Sequence, residues 1–141
     1  MTILKSYLKF LYNSKNQHGV HSPFVFNLVT KCFYDKKYYP EYNCLKSKQE
    51  KLIFRIEKYF DQNKIIKIDH LLEMKRFEEN LGYISNDSLI IIKNIHQSKL
   101  TEENWNKIKN NPKVTVTIDT FYLGIIFFRK EQKKEHFVVR V

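Results

Sequence analysis

Residues 88–95, SLIIIKNI, place the tightest limit on what this chain can fold into. Leu89, Ile90, Ile91 and Ile92 are consecutive. In a strand, successive side chains point to opposite faces, so such a run has no solvent face. A continuous apolar run is the mark of a strand buried on both sides in a parallel sheet. That in turn demands helices on the faces, and the flanking sequence supplies them.

The stretch KIIKIDHLLEMKRF, residues 64–77, reads as a short strand over 64–68 running into a helix over 70–82, with Leu71, Met74, Phe77 and Leu81 on one face. After 88–95, Leu100, Thr101, Glu102 and Glu103 open a further helix. Thr101 is its expected cap, the glutamates suit the helix dipole, Leu100 is placed to staple onto Trp105, and Pro112 ends it. Residues 113–119 alternate like a half-buried strand, 124–130 form another, and HFVVRV ends the chain as a last one. The order strand–helix–strand–helix–strand–strand predicts a mainly parallel α/β sheet of about four or five strands with an antiparallel hairpin at its end.

The first 60 residues have a different texture and read as a helical layer of the same domain. Ile3, Leu4, Tyr7, Leu8 and Leu11 recur at helical spacing over 2–13. Ser22 and Pro23 suit the start of a second helix with Val25, Leu28, Val29 and Cys32 as its buried stripe. A third helix over 45–60 buries Leu45, Leu52, Ile53, Ile56 and Phe60. A length of 141 residues fits one domain, 1–141, with a 61–141 α/β part behind this layer.

Composition narrows the partners. No apolar run approaches the ~20 residues of a membrane helix, so no membrane partner is expected. The opening MTILKSYLKFLYNSK has lysines within its apolar stretch and reads as an amphipathic helix, not a signal peptide. Cys32 and Cys44 match neither a disulfide framework nor a metal spacing, which suggests inert thiols and a cytoplasmic location. The net charge is +10, but lysine supplies 21 of 25 basic residues. Arginine, the planar reader of phosphates and bases, is scarce. Any nucleic-acid binding is therefore expected to be weak and non-specific. The aromatic-lysine mix at 31–42 can stack bases, although tyrosines near helix ends more often pack ring-in and hydroxyl-out.

Few residues carry candidate chemistry. His18 and His21 lie three apart, but no Cys, Asp or Glu close by completes a ligand set, so they read as loop residues positioning the second helix. Ligands of open α/β sheets sit beyond the carboxyl ends of parallel strands. Lys93, Asn94 and His96 occupy that place after 88–95, and Asp69 and His70 occupy it after 64–68. The same residues equally suit strand ends facing water. No nucleophile elbow, phosphate-cradling loop or zinc motif is present.

Three blocks, NQHGVHSPFVFNLVTKCFYDKK, NDSLIIIKNIHQSK and NPKVTVTIDTFYLGIIFFRKEQKKEHFVVR, together resemble a bacterial class I S-adenosylmethionine-dependent methyltransferase-like family over about 16–60 and 84–141. The resemblance implies a Rossmann-like sheet of order 3-2-1-4-5-7-6 with its last strand antiparallel. Residues 88–95 would be strand 5, and 113–119 and 124–130 strands 6 and 7. It also implies a loss. The family's strand 1 ends in an acidic, glycine-rich loop that lets the backbone approach the cofactor, and a carboxylate on strand 2 holds the ribose. Here 64–68 looks like the start of strand 1, and the residues after it resemble the helix before strand 5. The segment from the loop through strand 4 is missing, and Asp69 and Asp119 do not replace it. Where relatives often have DDIHWS, this chain has KNIHQS, so Lys93 stands in place of a carboxylate and Gln97 in place of a tryptophan. The expectation is a degenerate, non-catalytic methyltransferase-like protein with no bound S-adenosylmethionine and no metal. The alternatives are a methyltransferase completed by a partner or a second copy, and a basic nucleic-acid module. The deletion should leave 64–68 as a sheet edge open to self-association or a partner strand.

Overall fold

A computed structural model describes residues 2–16 and 19–141. His18 lies outside the described residues; His21 is exposed in the loop before the second helix. The elements in chain order are α1 (Ile3–Asn13), α2 (Pro23–Leu28), α3 (Lys48–Tyr59), β1 (Ile65–Ile68), α4 (Lys75–Asn80), β2 (Leu89–Lys93), α5 (Lys99–Lys109), β3 (Val116–Asp119), β4 (Leu123–Phe127) and β5 (Glu135–Val138).

The strands form one open sheet of order β1-β2-β4-β3-β5. β1 is parallel to β2, and β3 to β5, while β4 is antiparallel to both β2 and β3. Four strands therefore run one way and β4 alone runs the other. The β3–β4 hairpin is not at the rim: β4 folds back between β2 and β3, and β5 adds a parallel strand outside β3. Lys15 bridges the C-terminal end of β5, its N–H donating to Val138 O at 2.8 Å and its carbonyl accepting from the Arg140 N–H at 3.1 Å. β1 is the other edge.

β2 behaves as its composition demands. Leu89 and Ile91 join a core with α2 and α3 (Val25, Leu28, Leu52, Ile56). Ile90 and Ile92 join a second core on the opposite face with Phe77 of α4 and Trp105 and Ile108 of α5. The result is a three-layer helix–sheet–helix sandwich, as two-sided burial of a strand requires. β3 departs from the half-buried alternation expected of it, because all four of its residues are buried. It lies between β4 and β5, so both its faces are covered.

The helix starts follow local chemistry. The Ser22 hydroxyl accepts from the Val25 N–H, and the Ser47 hydroxyl from the Glu50 N–H. α2 ends in a wider π turn over Val29–Phe33. The carbonyls of Cys32 and Phe33 there accept from the Arg55 guanidinium of α3, at 3.1 and 3.0 Å. This satisfies acceptors that a helix end leaves open and fixes α3 against α2.

Three helices differ from expectation. The third runs over Lys48–Tyr59 and leaves Leu45 and Phe60 half-buried outside it. α5 is capped by Ser98, with Thr101 at its third position completing a reciprocal capping box, and Leu100 stays exposed. α4 is only Lys75–Asn80. Residues 70–74 are irregular, and Leu71 is buried there with its carbonyl accepting from Asn104 Nδ2 at 2.8 Å. That tertiary hydrogen bond replaces a helical one.

Candidate functional site

The common direction of β1, β2, β3 and β5 brings their carboxyl ends to one rim, where ligands of open sheets bind. After β2 the chain must turn at once into α5. Asn94 makes the turn with φ 61°, a left-handed conformation that asparagine tolerates. Its N–H donates to Tyr122 O at 2.6 Å, and its carbonyl accepts from the Gln97 N–H at 3.2 Å. Ile95 is buried as an anchor, and His96 then projects over the sheet end.

His96 is held on both sides. Its Nδ1 lies 2.7 Å from Glu102 Oε2 on α5, and its Nε2 lies 2.6 Å from Asp119 Oδ2 at the end of β3. Glu102 Oε2 also accepts from the Ser6 hydroxyl of α1 at 3.0 Å. Asp119 Oδ1 accepts from the Phe121 N–H at 2.8 Å. The ring stacks on Phe121 with centroids 5.1 Å apart. Carboxylates only accept, so both ring nitrogens must donate to complete the clamp. Burial disfavours the imidazolium, yet the hydrogen bonds and charges of Asp119 and Glu102 outweigh it and raise the His96 pKa above its ordinary value.

A cavity of about 440 Å³ is lined by the clamp residues together with Lys9, Lys109 and His136. Loss of hydration lowers the Lys109 pKa; Asp119 opposes that and Lys9 adds to it. His136 Nδ1 lies 2.6 Å from the Thr117 hydroxyl oxygen. Although the residue as a whole is exposed, its ring packs against Trp105, and lost hydration with the charge of Lys109 holds its pKa below the ordinary value.

The other sequence candidates are at the same rim but outside this cluster. Lys93 Nζ forms an ion pair with Asp69 Oδ1 at 3.4 Å across the ends of β2 and β1. With the two side chains 41% and 65% exposed, the pair is a weak, solvent-screened tie. His70 is exposed. So the rim joins Lys93 to Asp69, and His96 to two carboxylates that sequence reasoning does not pair with it. From sequence, Glu102 reads only as a dipole-compensating residue of a helix start. Asp119 ends a strand running parallel to β2, so the strand-end rule that selects Asp69 selects it as well.

Chemically, the clamp is closed. In its doubly protonated form His96 offers no lone pair to act as a general base, and each facing carboxylate then accepts from it. Among the described residues, no group of three or more His, Cys, Asp or Glu side chains is placed to hold a metal ion. Burial pushes the Cys32 thiol up to about 12, which makes it a poor nucleophile at neutral pH. Among the described residues, no helix is long and apolar enough to cross a membrane.

No family model matches this chain, and neither a curated protein nor a solved structure is significantly similar to it.

Proposed function

We propose that this chain is a non-catalytic, methyltransferase-like domain that keeps the strand 5-7-6 side of a class I S-adenosylmethionine-dependent methyltransferase sheet and lacks the cofactor-binding half. The observation that carries this reading is the order β2-β4-β3, in which a reversed strand enters between two parallel ones. It is the arrangement the resemblance implies for strands 5, 7 and 6. β1 pairs directly with β2, so in that scheme it occupies the place of strand 4 and the sheet stops where the cofactor strands would continue. β5 is an addition outside strand 6.

Two further features support loss of catalysis. The turns after β1 and β2 contain no glycine, so nothing eases a close backbone approach to a bound cofactor. The buried polar cluster at the rim is internally paired, His96 with Glu102 and Asp119, while Lys93 and Asp69 make only a weak, exposed pair. Isothermal titration of the chain with S-adenosylmethionine to millimolar concentration tests the reading: no saturable heat is expected, and a saturable signal overturns it.

The β1 edge favours a second reading, in which another copy or a partner supplies the missing strands. Ile65 and Ile66 are half-buried on this edge, and Lys67, paired with Glu57 at 2.7 Å, is the charge that blunts it. A basic nucleic-acid role gains less. Tyr39 and Tyr42 pack edge-on against each other and against Phe54. Lys37 and Lys58 lie over the Tyr39 ring, and Lys51 over Tyr42, where a stacked base would sit.

A further inference from the structure

α1 is docked along the boundary of its apolar arc. Its buried residues are Ser6 and Phe10, while Leu4, Leu8 and Leu11 remain 65%, 57% and 38% exposed. Those three leucines follow i, i+4, i+7 spacing and so form one outward ridge. Leu11 and Tyr7 are also walls of a separate cleft of about 380 Å³ between α1, the start of α3 and the β3–β4 turn. That volume falls within the ~300–1,000 Å³ range of small-molecule sites.

The other walls of the cleft are mainly apolar, Phe10, Leu52 and Phe121, with Gln49 and Thr120 as polar neighbours. Phe121 projects into it from a left-handed backbone, φ 77°, which is an outlier for a bulky side chain. Its conformation is fixed by the N–H bond to Asp119 and by the ring's edge contact with Tyr7 at 4.9 Å. Two cations line the same cleft, Lys48 and Arg140, both exposed. Among the described residues, neither is in an ion pair. A mainly apolar slot with two cations in no ion pair, continuing onto a leucine ridge, suits an aliphatic chain with an anionic head, the head accepting charge-assisted hydrogen bonds from Lys48 and Arg140.

We propose that this cleft binds an acyl anion, a straight alkyl chain ending in a carboxylate or phosphate. The site is independent of the methyltransferase-like reading. It is tested by calorimetric titration of the whole chain with decanoate and decyl phosphate below their aggregation limits, with 1-decanol as the uncharged probe. One-to-one saturable binding is expected, at least tenfold tighter for the anions than for 1-decanol. Combined Lys48→Gln and Arg140→Gln substitution should weaken the anions at least tenfold and leave 1-decanol unchanged. Should that variant fail to fold, the anion-to-alcohol ratio of the unaltered chain decides the matter. Absence of saturation, equal affinity for 1-decanol, or undiminished binding by the folded double variant overturns the proposal. Co-sedimentation with phosphatidylglycerol vesicles separates the sources: vesicle binding without decanoate binding means that the leucine ridge meets a lipid surface and the cleft clasps no single chain, which also overturns it.

Discussion

Replacing Asp119 with asparagine removes one jaw of the His96 clamp while keeping its shape. The Asp119 side chain is 7% exposed and serves two donors, the His96 Nε2–H and the Phe121 N–H, through separate oxygens. An amide has one acceptor oxygen, so one donor loses its partner. A hydrogen bond to a charged group contributes about 1.5–3 kcal/mol, and stripping one partner from a buried ion pair costs about 3–5 kcal/mol. His96 retains Glu102 and 15% exposure, so the lower of the two ranges applies, about 1.5–3 kcal/mol below pH 6. The cost should depend on pH. The folded-state pKa of His96 is raised above 6.5, so the clamp's charge-dependent stabilisation is fully present below pH 6.5 and is lost as pH rises through the raised value. Urea unfolding followed by the fluorescence of Trp105, the single tryptophan, measures this at pH 6 and pH 9. The variant's deficit should shrink at pH 9, and its His96 pKa by NMR should fall relative to the parent. A deficit equal at both pH values, or an unshifted His96, refutes the clamp.

Gly124→Ala should destabilise the fold by about 1–3 kcal/mol, the usual cost of overpacking. A Cβ at Gly124 would lie 2.5 Å from Trp105 Cζ3, and a buried indole has little room to yield; an unchanged urea midpoint contradicts this packing. Analytical ultracentrifugation should find a concentration-dependent dimer that Ile66→Pro weakens in a folded variant, since proline removes a donor from the β1 edge. A monomer at high concentration in the unaltered chain shows that the edge is already closed.

The parts of the fold legible in the sequence are those set by local pattern. The run at residues 89–92 required a strand with two covered faces, and both cores meet on it. Ser22 and Pro23 start a helix because their chemistry acts within one turn. What the pattern could not give was set by contacts distant in sequence. The apolar spacing of α1 marks an amphipathic helix, but which part of its arc docks is set by distant contacts, Phe10 with Phe121 and Ser6 with Glu102, 96 residues away. The helix expected over 70–82 is cut to α4 because Asn104 claims the Leu71 carbonyl. The strand-end rule brings Lys93, Asp69 and His96 to one rim, yet it cannot tell that His96 turns toward Asp119. That depends on β4 inserting between β2 and β3, which sets how far apart their ends lie.

On the methyltransferase-like reading proposed above, the sheet rim binds no S-adenosylmethionine. Residue-resolved NMR of the ¹⁵N-labelled chain with S-adenosylmethionine added to millimolar concentration addresses it most directly. No saturable amide shifts are expected at residues 65–70 and 93–96, the ends of β1 and β2. Saturable shifts confined to those residues would contradict the claim and would mean that the rim binds the cofactor without a glycine-rich loop.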